Sequence, residues 1–179
     1  LIPLTSPYVN SAQFPQITGG GGETIAPSVL TATENNAIVD WVYVQLRNGA
    51  NSSQVLRTRS ALVQRDGDVV DMDGVSQLTF VAPAASYHVA VFHRNHLPVM
   101  SANPISLSSM GVPVNFTSPS LLTYGTNAQK TIGTVRALWA GDVNTDGIIK
   151  YTGGSNDRDP ILVTVGSTTP NNTRVRQLP

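Results

Sequence analysis

The chain has 179 residues and a formal net charge of zero, eleven Lys and Arg against eleven Asp and Glu. Only 12% of the residues are charged, about half the ~25% of an ordinary globular protein, while 40% are hydrophobic, enough for a sizeable core. This balance weighs against a nucleic-acid binder and a polybasic membrane-surface binder, and no apolar run approaches the ~20 residues of a spanning helix. Cysteine is absent, which removes disulfides, thiol nucleophiles and thiolate metal sites. The chain opens at Leu1 rather than Met, so it reads as a processed product or a fragment.

Residues 1–37 are rich in Pro and Gly and include the run 19–22, which reads as an extended arm and a flexible loop without helix. Residues 38–47 form a strong strand, Val42, Val44 and Leu46 alternating with Tyr43, Gln45 and Arg47. Residues 55–65 form a second, with Arg57 and Arg59 on one face and Leu56 and Leu62 on the other. Asp66-Gly67 marks a tight turn back. Residues 78–82 and 87–93 are two further strands across the Pro83–Ser86 turn, and 104–108 with 112–117 look like another hairpin. Ala128-Gln129-Lys130 suggests one helical turn, 160–166 is a short apolar run, and 169–179 has no periodicity. Short strands at this spacing, with abundant turn residues and little Lys or Glu, predict an all-β protein of the β-sandwich class. The expected organisation is an arm over 1–37, a sandwich over 38–117, and a C-terminal appendage over 118–179.

Eight of the eleven acidic residues fall in two clusters, Asp66, Asp68, Asp71 and Asp73, then Asp142, Asp146, Asp157 and Asp159. The second is the informative one. Asp142, Asn144 and Asp146 occupy positions one, three and five of a loop, Gly147 position six, and apolar Ile149 position eight, which is the first half of an EF-hand-type calcium loop. Alternate residues of a tightly curled loop point inward, so these three side chains can meet one cation, with the Ile148 carbonyl as a fourth ligand. Ile149 should anchor the loop to the core. Position twelve is Gly153, which has no carboxylate, and the loop runs on to Asp157 and Asp159. Asp159 precedes Pro160 and suits both a helix N-cap and the closing ligand; Asp157 is the competing candidate. The bland reading of the segment is a surface turn capped by Asp and Asn side chains. The first cluster, with Asp66-Gly67 and Asp73-Gly74, reads as turns. His93 and His96 form an HxxH pair with no third ligand in view, which suits loop hydrogen bonding better than zinc. Trp41 and Trp139 read as core or interface residues.

The pattern Arg65-Asp66-Gly67, Asp73-Gly74, Leu78–Ala82, a Pro turn and Tyr87–Val91 resembles prealbumin-like sandwich modules of bacterial surface proteins. The opening Asp142-Val143-Asn144-Thr145-Asp146-Gly147 is similar to the calcium loop of dockerins, which carry two such loops where this chain has one. From about residue 38 onward, the stretches 39–42, 64–68, 93–96 and 137–162 together resemble a module of large secreted proteins from Bacteroidetes-type bacteria. That likeness implies an extracellular, calcium-bearing, non-catalytic module.

No G-x-S-x-G, HExxH or P-loop is present, and no nucleophile has a visible base, so no enzyme is expected. The expected function is that of a non-catalytic extracellular structural protein, a calcium-stabilised subunit that self-assembles into a surface fibre or sheath. Copies would associate as a homo-oligomer or filament through the arm, by strand addition to a neighbour's sheet. The alternative is a calcium-dependent glycan- or protein-binding module of a larger secreted protein.

Overall fold

A computed structural model of the chain describes residues 2–18 and 20–165; residues 166–179, the end of the expected C-terminal segment, lie outside the described residues. Antiparallel strands dominate. The main sheet has six strands in the order β3-β2-β1-β4-β6, with β7 also paired to β4. These are β1 (Ile38–Asn48), β2 (Asn51–Gln64), β3 (Val69–Val70), β4 (Ala85–Phe92), β6 (Val99–Met100) and β7 (Ile105–Leu107). Two small two-stranded ladders stand apart, β5 (Asn95–His96) with β10 (Ala140–Asp142), and β8 (Lys130–Ile132) with β9 (Val135–Ala137). One helix, α1 (Arg158–Val165), ends the described chain. No described helix is long and apolar enough to cross a membrane.

The alternation read in β1 separates two apolar layers. Trp41 and Tyr43 pack on one face with Leu62 and Val70, and Val42, Val44 and Leu46 on the other with Ala61, Tyr87 and Val89. Two bulges keep the layers consistent. Val39 has no partner between the pairs Ile38–Gln64 and Asp40–Val63, so Ile38 and Trp41 face the same layer despite their odd spacing. Leu56 is likewise extra between Leu46–Arg57 and Arg47–Val55. Leu56 and Leu62, expected on one face, therefore lie on opposite faces.

The first face is covered by the arm. Tyr8 and Ile25 are buried in its core, with Ile2 and Phe14 packed beside them. The arm folds back on itself through Ser6 N–H to Glu23 O (2.8 Å) and Ile25 N–H to Leu4 O (2.9 Å), and two single 3₁₀ turns follow at Pro27–Thr31 and Glu34–Asn36, where no helix was expected. It is pinned to β2 by the Ile17 carbonyl, which accepts from the Thr58 N–H at 3.0 Å. A Cβ at Gly20 would lie 2.1 Å from the Thr58 carbonyl oxygen, so glycine alone permits this approach.

The second face is covered by irregular chain. Residues 78–82, expected as a strand, form no ladder; Leu78, Phe80 and Ala82 pack on the sheet while Arg59 and Arg57 donate to the Thr79 and Val81 carbonyls at 2.7 and 2.8 Å. Arg57 and Arg59, which share one face of β2, thus hold this strap. Residues 112–117 also form no strand, and β7 pairs with β4 rather than with them. Lys130 opens β8 instead of lying in a helical turn.

Candidate metal centre

Strand β10 delivers Asp142 to the start of the loop, and α1 begins at its end. Three kinds of bond curl the segment between. Asn144 Oδ1 accepts from Asp146 N–H at 3.0 Å and Asp146 Oδ1 from Ile148 N–H at 2.9 Å, two consecutive Asx turns. Gly147 N–H reaches back to Asp142 Oδ2 at 3.1 Å. Gly147 has a φ of 82°, the left-handed backbone expected of position six. Finally, the Asp157 carboxylate closes the loop by accepting from Val143 N–H at 2.8 Å and Lys150 N–H at 2.7 Å.

The arrangement brings Asp142, Asn144, Asp146 and Asp157 to one segment and leaves Asp159 out of it. Asp159 lies in the first turn of α1, held by Asn156 Nδ2 at 2.8 Å and by Arg158 at 3.0 Å. It is not the N-cap either. Asn156 caps the helix, its Oδ1 accepting from Asp159 N–H at 2.9 Å, and Pro160 sits third in the helix. An Asn three residues ahead of an Asp was the signal, and the Asp-Pro pair obscured it. Ile149 is 43% exposed and lies over Gly141 rather than in the core, and the Ile148 side chain is exposed as well. Lys150 and Arg158 turn outward, to the Gly154 carbonyl and over the Tyr151 ring.

Electrostatics single out Asp142. Its side chain is buried with the residue only 2% exposed, and Oδ1 is sealed from solvent without a hydrogen-bond partner. Burial pushes its carboxyl above the ordinary range, the nearby charges of Asp146 and Asp157 push the same way, and the Gly147 N–H opposes them. Asp157 moves down instead, because backbone N–H groups, Lys150 first, bind its charged form. A buried carboxylate oxygen with no donor and two acids nearby is a position where a cation would stabilise the fold. The donors at hand are carboxylate and amide oxygens, which suit a hard cation such as Ca²⁺. Among the described residues, three or more His, Asp or Glu side chains nowhere gather closely enough by themselves to hold an ion, so the Asn144 amide oxygen and a main-chain carbonyl would have to complete the set.

The other candidates have structural partners. His93 Nδ1 and His96 Nδ1 are 2.8 Å apart, and His93 Nε2 lies 3.2 Å from Asp40. Burial alone would raise Asp40, but hydrogen bonds from His93, the Trp41 N–H and Arg94 bring it down to about 2. This Asp40–Arg94–His93 knot, with no spacing signature in the sequence, fixes the corner after β4. In the first acidic cluster, Asp71 pairs in a fork with Arg59 at 2.6 and 2.8 Å, while Asp66 and Asp73 accept backbone N–H groups of their own turns. Trp41 is fully buried; Trp139 donates to the Asn127 carbonyl at 2.8 Å with Lys130 over its ring.

No known protein family, curated protein or solved structure matches this chain. The likeness to prealbumin-like and dockerin modules rests on the residues quoted for it.

Proposed function

We propose that the protein is a non-catalytic extracellular structural module, a sandwich-like β body with a calcium-stabilised C-terminal appendage, whose arm serves association between copies. The observation that carries the ion is Asp142, whose buried, unpartnered Oδ1 heads the D-x-N-x-D-G loop. Asp142, Asn144 and Asp146, with the Ile148 carbonyl, are the ligand set this reading favours; Asp157 closes the loop on the Val143 and Lys150 N–H groups, and Asp159 is disfavoured by its bonds to Asn156 and Arg158. Loops of this type in extracellular modules bind at roughly 10⁻⁴–10⁻³ M, a range filled outside cells and not in the cytosol. Self-association is supported by the arm, because every contact that residues 2–25 make with their own sheet is available to the arm of a second copy.

Isothermal titration with CaCl₂, together with melting curves in calcium and in chelator, tests the ion. One ion per chain and a higher melting temperature are expected; coincident curves and no binding heat would overturn it. Sedimentation equilibrium of the full chain across a range of concentrations tests assembly: larger species are expected, and a single 19.0 kDa species throughout would overturn it. A second reading, as a glycan- or protein-binding module, is favoured by an open groove of about 340 Å³ where Thr18, Thr79 and Phe80 meet Glu23 and Arg59. A glycan-array signal lost on Phe80→Ala would favour it over self-assembly.

A further inference from the structure

We infer that the calcium loop and the N-terminal arm are energetically coupled through the corner 93–97, so that ion binding seats the arm and a seated arm tightens ion binding. The inference rests on the calcium reading of the loop and concerns its regulation.

The corner is gripped from two sides. On one side stands the segment that leads into the loop. Asn95 pairs with Asp142 and His96 with Ala140 in the β5–β10 ladder, and Leu97 N–H donates to the Trp139 carbonyl at 2.8 Å. On the other side stands the arm. Arg94 N–H donates to the Tyr8 hydroxyl at 3.1 Å, and that hydroxyl donates in turn to the Trp41 carbonyl at 3.0 Å. Phe14 stacks edge-on against Tyr8 at 4.9 Å and against Phe92 at 6.2 Å, so the arm also packs on the residue that leads into the corner. A cleft of about 190 Å³ lies at the seam, with Phe14, His93 and His96 facing Asp142 and Asp146.

Asn95 holds a φ of 63°, a left-handed backbone that asparagine tolerates better than other side-chain-bearing residues. The ladder to Asp142 and the Arg94 N–H bond to Tyr8 hold the corner in that conformation. An ion that fixes Asp142 therefore fixes Asn95, and through Arg94 N–H it presents the donor that Tyr8 needs. Linkage makes the effect reciprocal, so the factor by which calcium strengthens arm docking equals the factor by which docking strengthens calcium binding.

The test uses the full chain, titrated with CaCl₂ by calorimetry, and hydrogen exchange at the Ser6 and Ile25 amides, which are bonded only when the arm is folded back. Tyr8→Phe removes the hydroxyl without touching the loop. Leu107→Ala, on the opposite sheet face, is the control for lost stability. Calcium should slow exchange at Ser6 and Ile25 by about 5-fold or more, and Tyr8→Phe should weaken calcium binding by a similar factor while Leu107→Ala leaves it unchanged. If calcium binds wild type and Tyr8→Phe equally and exchange does not change, the coupling is overturned while the calcium reading stands. If wild type gives no binding heat, both fall together.

Discussion

The indole Nε1 of Trp41 donates to the carbonyl oxygen of Pro3 at 2.9 Å, so the largest fully buried side chain of β1 is tied to the third residue of the arm. The arm is therefore part of the core. Trp41→Phe would remove this bond and leave a gap beside Tyr8, at a combined cost of about 2 kcal/mol. Urea denaturation measures it; a loss below about 0.5 kcal/mol would show that the arm contributes little to the fold.

Asp146→Ala should reproduce chelation. A site held near 100 times its dissociation constant adds about 2.7 kcal/mol, which for a chain of this size is roughly 5–10 °C in melting temperature. Wild type should lose that increment in chelator, and the variant should lack it throughout. Residues 142–165 should exchange faster before the main sheet does. A variant that still gains the full increment from calcium would remove Asp146 from the ligand set.

Calcium affinity should fall as pH falls. Burial holds the Asp142 carboxyl above its ordinary value, so protons compete with the ion there at a higher pH than at an exposed aspartate. Without the ion the sign is opposite for stability, because a raised folded value makes the empty loop less stable once the pH rises past the unfolded value near 3.8. Chelated protein should thus gain less from neutral pH than calcium-loaded protein does. Parallel stability profiles with and without calcium would contradict this.

Asp40 has the reverse sign. Its folded value of about 2 lies below the unfolded 3.8, so its stabilisation is full above about 4 and is lost as the pH falls toward 2. Wild type should lose more stability between about pH 5 and about pH 2 than Asp40→Asn does. Equal slopes for the two chains would mean that the bonds from His93 and Arg94 do not hold the charge.

Gly20→Ala should loosen the seat of the arm on β2. The new methyl would meet the Thr58 carbonyl, and the bonds between Ile17 and Thr58 would break as the loop moves away. Gly22→Ala is the comparison, since its φ of 71° is strained but open space surrounds it, at a cost of about 1 kcal/mol. Faster exchange at Ile25 should appear with Gly20→Ala far more than with Gly22→Ala.

The legible parts of the fold were those with a strong period. Val42 to Arg47 alternate cleanly, and both layers of the sheet follow from that alternation. Leu78 to Ala82 alternate as well, but the strap is held by arginine side chains from β2 instead of a ladder, and no local pattern distinguishes the two. The site shows the same division. Loop positions one, three, five and six follow from fixed spacing, whereas the closing carboxylate depends on where the chain returns. Asp157 and Asp159 differ by two residues, and the Asn156 cap decides between them by starting the helix before Asp159. The Asp40–Arg94 pair, separated by 54 positions, was beyond any local reading.

Because Leu56 has no partner on β1, the tip of the β1–β2 hairpin runs out of phase with its stem. In the stem, even-numbered residues from Thr58 to Gln64 face the arm and odd-numbered ones face the strap, whereas at the bulge an even-numbered residue joins the strap side. Residues gained or lost beyond Val55 would change how far the hairpin reaches without reassigning any side chain in the stem. The hairpin is a place where chain length can vary while the two apolar layers keep step.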